Sequence, residues 1–228
     1  MSRETEESLE QTYGRYRRSR RRQRIWAADN PGNVEIRREL LARLLEQAGE
    51  RLPGGRVLDV GCGGGWLLRE LERIGVDRER LHGVDLIQSR IDAARGSLPG
   101  ADIRRADARR LPYEDGSFDV VTLLTVLSSM PDAGAVAAAL EAARNALAPG
   151  GVLIVYEPRL HNPTNRTTRL ISARELDRAL GPDWLQVPVT VVPALARRLG
   201  PLTSRLYPHL SGLRLLLTHR LAVYVSHE

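Results

Sequence analysis

Residues 56–66 have the sequence RVLDVGCGGGW, an apolar run followed by a carboxylate, three spaced glycines and an indole. The apolar run predicts a buried strand. Glycines at positions 61, 63 and 65 let the backbone turn tightly and approach a ligand, because they lack a Cβ atom. The segment from Trp66 to Leu71 predicts a helix whose first N–H groups face that ligand. The stretch therefore predicts a strand, loop and helix unit that binds a nucleotide.

The spacing of this loop distinguishes between two kinds of nucleotide. A dinucleotide fingerprint requires a small residue at its sixth position, where the helix packs closely on the strand. Counting from Gly61, that position is Trp66. Asp59 would also repel a pyrophosphate by adding negative charge beside it. The pattern instead favours a cationic ligand without phosphate, and S-adenosylmethionine has this chemistry because it carries a sulfonium and an ammonium group.

The order of five blocks along the chain carries a resemblance to a known family. The glycine loop is followed by blocks at 81–86, 101–108, 111–121 and 147–155. In this order they resemble the motifs of class I S-adenosylmethionine-dependent methyltransferases, in particular the type 11 small-molecule group. The resemblance covers roughly residues 56–158, and five blocks in the family's order are far more specific than one glycine loop.

The resemblance implies a role for each cofactor residue. Asp85 would hold both ribose hydroxyls, since one carboxylate can accept two hydrogen bonds. Leu86 would lie against the adenine, and Asp107 would accept a hydrogen bond from its amino group. The implied cofactor-binding set is Asp59, Gly61, Cys62, Gly63, Gly65, Asp85, Leu86, Asp107, Ala108 and Leu124. We expect no metal ion in this site.

The order of predicted elements indicates an α/β fold. Helices are expected at 33–47, 66–74, 88–97 and 132–147, and strands at 56–60, 80–86, 101–107, 118–124, 152–157, 184–192 and 219–226. Strands that alternate with helices pair in parallel through right-handed crossovers. With the family resemblance, this predicts a Rossmann-like doubly wound seven-stranded sheet, mostly parallel with an antiparallel last strand.

The same pattern divides the chain into two parts. Residues 1–50 are expected to form an N-terminal helical lid or arm, and residues 51–228 the methyltransferase domain. A helical insertion is expected at about 194–217, where proline and glycine interrupt an apolar, arginine-bearing stretch. Ser172 and Glu175 have the spacing of a capping box at the start of a helix.

Few residues qualify as a catalytic base. His161 follows the fifth strand and its imidazole titrates near neutral pH; the alternative is a loop histidine bonded to backbone or water. Glu157 and Asp132 are weaker candidates, and Asp132 is better explained as a helix cap. The other four histidines are assigned structural roles. The residues expected to contact the acceptor or to form a lid are Tyr13, Tyr16, Trp26, Ser128 and Asn162.

Composition agrees with one domain. The chain has 228 residues, of which 42% are hydrophobic, and its single cysteine excludes an intrachain disulfide. No apolar run approaches the ~18 residues of a membrane span, and no secretion signal is visible, so we expect a cytoplasmic location. All 34 basic residues are arginine, which favours a G+C-rich bacterial genome. Whether the protein forms a homodimer stays open.

These observations predict an S-adenosylmethionine-dependent methyltransferase that modifies a small molecule, such as a secondary metabolite or a sugar, at oxygen. One alternative is an RNA methyltransferase recruited through the arginine run from Arg15 to Arg24. A solvated face is the simpler explanation of such a run, so nucleic acid is not the favoured partner. The other alternative is a protein that binds the cofactor without catalysis.

Overall fold

The computed structural model describes residues 25, 27–160 and 168–227. Within them, the helices are α1 Pro31–Ala48, α2 Trp66–Arg73, α3 Gln88–Ser97, α4 Ala133–Asn145, α5 Ala173–Leu180, α6 Pro193–Arg198 and α7 Thr203–Ser211. The strands are β1 Val57–Val60, β2 Leu81–Asp85, β3 Asp102–Arg105, β4 Phe118–Leu124, β5 Leu147–Pro158, β6 Trp184–Val191 and β7 Leu217–Val225.

The strands form one seven-stranded sheet in the order β3-β2-β1-β4-β5-β7-β6. The pairs from β3 to β5 are parallel, whereas β7 runs antiparallel to both β5 and β6. The predicted doubly wound sheet with an antiparallel last strand is therefore confirmed. Its carboxyl edge, which we define by Val60, Asp85, Leu124 and Pro158, is where ligands of such sheets bind.

Helices cover both faces of the sheet. On one face, α1, α2 and α3 contribute buried side chains such as Leu44, Leu68 and Ile91 to a single apolar cluster. On the other face, α4 and α5 contribute residues such as Leu140 and Leu176 to a second cluster. Strands buried on both faces are expected to contain nearly continuous apolar runs, and residues 57–58 of β1 and 152–155 of β5 are such runs.

Between β6 and β7 the chain folds into α6 and α7 and short 3₁₀ turns, and it packs against α1 through a third small cluster that includes Ala196 and Tyr207. The division of the chain at residue 50 stays a prediction. The capping box at Ser172 and Glu175 begins α5 as predicted, and the Asp132 side chain caps α4 by accepting from the Ala135 N–H at 2.8 Å. No helix among the described residues has the length and apolar character required to cross a membrane.

Candidate functional site

The glycine loop between β1 and α2 has the backbone conformation that its sequence predicts. Gly61, Gly63 and Gly65 have φ angles of 76°, 55° and 75°, in the region that disfavours any residue with a Cβ atom. A Cβ atom placed on Gly61 would lie 2.4 Å from Val126 Cγ2, whereas one placed on Gly63 would meet no atom within 4 Å. Gly61 is thus packed against the loop after β4, and Gly63 borders open space where a ligand can approach.

Asp85 fixes this loop from the end of β2. One carboxylate oxygen accepts from the Gly63 N–H at 2.9 Å and the other from the Ile87 N–H at 2.9 Å. The Arg90 guanidinium lies 3.6 Å from the first of these oxygens. A carboxylate has about four lone-pair positions, so two backbone donors leave capacity for ribose hydroxyls. Asp85 therefore shapes the loop, and its contact with a ligand stays a prediction.

Asp59 lies deeper than its position in the sequence suggested. It is the third residue of β1, which ends at Val60, and its exposed fraction is only 3%. The Thr122 hydroxyl donates to Asp59 Oδ1 at 2.7 Å. Burial raises the pKa of Asp59 to about 7, the Thr122 hydrogen bond lowers it in part, and the charge of Asp85 raises it further. The expectation of a carboxylate at the tip of β1 is corrected to one buried beside the loop.

Asp107, after β3, is paired with an arginine. Arg109 Nη2 lies 2.7 Å from Asp107 Oδ2, and the Arg109 backbone N–H donates to Oδ1 at 3.0 Å. The Arg109 hydrogen bond holds the pKa of Asp107 below its ordinary value. Asp107 is half-buried and ionised, which is compatible with accepting from an amino group in addition to Arg109.

The other predicted cofactor residues differ in burial. Cys62 is buried in the loop, and burial raises the pKa of its thiol far above its ordinary value, so it is unreactive. Leu86, Ala108 and Leu124 are half-buried, which leaves part of each side chain available to a ligand. Their contact with the cofactor stays a prediction.

The loop after β4 is held by Glu157, near the end of β5. Glu157 is 1% exposed, and its two oxygens accept from the backbone N–H groups of Leu127 at 2.7 Å and Ser128 at 3.3 Å. Burial raises the pKa of Glu157 to about 7, which the hydrogen bonds from Ser128 and Leu127 counteract. Ser128 is itself buried. In this structure Ser128 supports the loop, and its predicted acceptor contact remains a prediction.

Six features of the sequence prediction lie outside the described residues. They are Tyr13, Tyr16, Trp26, His161, Asn162 and the run Arg15–Arg24. Their roles stay predictions.

Two unusual backbone conformations were not predicted, because nothing in the sequence marks a threonine that has a positive φ angle. Thr125, directly after β4, has a φ of 59°, and Thr190, near the end of β6, a φ of 66°. A β-branched residue rarely adopts this region, and such strain clusters at functional sites. Both threonines lie toward the carboxyl edge, and Thr190 is linked through Thr218 to His219, which had been assigned a structural role.

Comparisons with known proteins agree with this geometry. A family model described as "Methyltransferase domain" matches residues 58–155. The chain is 34% identical over 142 residues to the ubiquinone biosynthesis O-methyltransferase of Xanthomonas campestris pv. campestris, a match that covers 58% of this chain and 55% of that protein. The chain thus spans about half the length of the curated O-methyltransferases it matches.

Two solved structures share the fold. The (4+2)-cyclase SpnF has a TM-score of 0.60 at 22% identity, covering 82% of this chain and 80% of that one. S-adenosylmethionine-bound CalS10, an amino pentose methyltransferase from Micromonospora echinaspora involved in calicheamicin biosynthesis, has a TM-score of 0.56 at 18% identity, covering 84% of this chain and 91% of that one. At these identities the likeness establishes the fold alone.

Proposed function

We propose that this chain, whose residues 58–155 match a methyltransferase domain, is a class I S-adenosylmethionine-dependent methyltransferase and transfers a methyl group to an oxygen atom of a small molecule. The observation that carries the proposal is the loop at residues 61–65. Asp85 accepts a hydrogen bond from the Gly63 N–H, the space beside Gly63 is open, and the buried carboxyl of Asp59 lies next to the loop.

The described residues fit the cofactor. Open space beside Gly63 lets a ligand approach the backbone of the loop, and the carboxylate of Asp85 has acceptor capacity for hydroxyl groups. Asp85, together with Asp59 once that carboxyl ionises near pH 7, places negative charge close to the loop, which favours a sulfonium and disfavours a pyrophosphate. The bound cofactor would supply an already activated methyl group, so the protein's own part is to orient the acceptor in line with it and to exclude water.

Oxygen is proposed as the methylated atom because a relative that is 34% identical over 142 residues is named an O-methyltransferase. A small molecule is proposed as the acceptor because that relative acts in ubiquinone biosynthesis and a fold neighbour is an amino pentose methyltransferase. Secondary metabolites and sugars are the classes we favour. The cytoplasmic location and a homodimer stay predictions.

A second candidate is a protein that binds the cofactor and does not transfer its methyl group. Because one protein with this fold is described as a cyclase, the fold alone does not establish that this chain transfers a methyl group. Binding and transfer must therefore be measured separately.

The experiment has two arms. Calorimetry with S-adenosylmethionine and S-adenosylhomocysteine measures binding, and a methyl-labelled cofactor measures transfer to a panel of catechols, hexoses, amino sugars and RNA. We expect binding of both nucleosides and label in a hydroxyl-bearing small molecule. Asp85→Ala should abolish both, and Asp115→Ala, at an exposed turn, is the matched control. Tight binding of NADH without binding of either nucleoside would refute the proposal.

A further inference from the structure

The strained residue Thr190 is held by three different elements. Its N–H donates to Glu39 Oε2 on α1 at 3.0 Å, and its hydroxyl lies 2.9 Å from the Tyr156 hydroxyl on β5. Its carbonyl accepts from the Thr218 hydroxyl on β7 at 3.3 Å. The Tyr207 hydroxyl also donates to Glu39 Oε2, at 2.7 Å. A conformation with this strain persists only when its surroundings impose it, and here they do so through every polar atom of Thr190.

The network offers His219 a partner at one ring nitrogen. The Thr218 hydroxyl has one hydrogen, and its oxygen lies 3.3 Å from the Thr190 carbonyl oxygen and 3.0 Å from His219 Nδ1. When this hydroxyl donates to the carbonyl, it accepts from an N–H at Nδ1. In a neutral imidazole the other nitrogen, Nε2, then carries a lone pair. Nε2 makes no hydrogen bond within the part of the chain that the structure describes.

His219 lies at the carboxyl edge, on the side away from β2. It pairs with Pro158, the last residue of β5. Its ring stacks on Tyr156 with 4.9 Å between centroids and 7° between planes. Tyr156 in turn pairs with Leu124, and both pack in the same apolar cluster. Two strand spacings, about 10 Å, separate β7 from β4, and the His219 ring extends over β5, which lies between them.

We propose that His219 Nε2 is the group that binds the acceptor's O–H and takes its proton during methyl transfer. The inference rests on the proposed function and specifies its substrate class as an uncharged hydroxyl compound. The acceptor oxygen forms a bond to the methyl carbon, the carbon–sulfur bond breaks with its electron pair going to sulfur, and the O–H proton passes to Nε2. The imidazolium then releases the proton to solvent.

The electrostatic surroundings suit a neutral hydroxyl. Burial, and then the nearby Arg197 cation, lower the pKa of His219 to about 4, so its imidazole is neutral at pH 7. A weak base suffices, because an oxygen that has gained a methyl group while keeping its proton is an oxonium and a strong acid. The Arg197 charge disfavours a protonated amine at the same place. Glu39, Tyr156 and Tyr207 are the other titratable groups of this network.

The first test is nitrogen NMR of protein with ¹⁵N-labelled histidine at pH 7, with the His219 signals identified by their loss in His219→Asn. We expect a protonated Nδ1 and a lone pair on Nε2, and a mixture of both tautomers in Thr218→Val, with Thr218→Ser as control. A wild-type ring protonated at Nε2 would overturn the proposal. This measurement needs no acceptor, and cofactor calorimetry tests the proposed function independently.

The second test uses whichever catechol or sugar of the panel is methylated. His219→Asn retains a donor toward Thr218 but lacks Nε2, and we expect kcat to fall about 100-fold with an unchanged Kd for S-adenosylmethionine. His209→Asn, at an exposed position of α7, should leave kcat unchanged. Added imidazole should restore activity to His219→Ala, which a purely structural role would not allow. A kcat for His219→Asn close to wild type would overturn the proposal.

Discussion

As the pH rises from 5 to 8, the free energy of unfolding of Asp59→Asn is expected to increase relative to that of wild type. Burial raises the pKa of Asp59 from 3.8 to about 7. In the unfolded chain this carboxyl loses its proton near pH 4, whereas in the folded chain it keeps the proton to about pH 7. The folded state therefore binds more protons between these values, and the free energy of unfolding falls as pH rises through that window. Above pH 7 the full loss is about 4 kcal/mol.

Asparagine does not ionise, so Asp59→Asn lacks this loss while its side-chain oxygen can still accept from Thr122. Between pH 5 and pH 8 the free energy of unfolding of the variant, relative to wild type, should rise by about 2–3 kcal/mol. Any loss of stability caused by the new amide group is the same at each pH, so it cancels when the stability difference at pH 5 is subtracted from that at pH 8. Glu157, whose pKa is also raised to about 7, is present in both proteins and cancels as well.

Urea unfolding without cofactor at four pH values between 5 and 8 measures this difference. Asp115→Asn, at an exposed turn, is the matched control and should follow wild type. A stability difference between Asp59→Asn and wild type that does not change with pH would refute the reasoning, since it would mean that Asp59 is ionised throughout. At pH 8, where Asp59 is ionised, the same variant should bind S-adenosylmethionine more weakly than wild type, because it lacks a negative charge near the sulfonium.

Three further changes have defined outcomes. Gly61→Ala should lower the free energy of unfolding by more than about 1 kcal/mol, from its left-handed backbone alone, with an additional loss from overlap with Val126; thermal unfolding measures it, and unchanged stability would contradict the packing. Asp85→Asn should raise the Kd of S-adenosylmethionine at least about 10-fold, because a charged acceptor for a ribose hydroxyl contributes about 1.5–3 kcal/mol, and calorimetry showing an unaltered Kd would count against this role. Ser172→Ala should destabilise the chain by about 1 kcal/mol, seen as a lower urea midpoint, whereas Ser172→Asp should retain most of the stability.

The fold was predictable because its signals are local. The apolar run before Asp59, the turn glycines and the capping residues each act within a few positions, and the strand and helix limits follow them closely. The start of β5 is the exception. A strand was expected at 152–157, after the proline and glycines of residues 149–151, yet β5 begins at Leu147, which pairs with Phe118 across an irregularity in the ladder. Pairing with a distant strand outweighed the local preference for a turn.

The site was predictable only in outline. Residue type and order predicted roles for Asp59, Asp85 and Asp107, but burial depends on the whole fold, and it is burial that gives Asp59 its raised pKa. The role proposed for His219 had no sequence signal. It depends on the left-handed backbone of Thr190 and on the contacts of Thr218 with Thr190 and His219, which only the folded sheet creates.

The position of β7 in the sheet has a consequence for the order of folding. β7 follows every other described strand along the chain, yet it lies between β5 and β6. The block from β3 to β5 can assemble from sequential crossovers while the chain is being synthesised, but β6 has no partner in the described sheet except β7. During synthesis, β6 with Thr190 can therefore join the sheet only once β7 with His219 has been made, whereas β1, β2 and β4, which flank the cofactor loop, are made earlier and pair with one another.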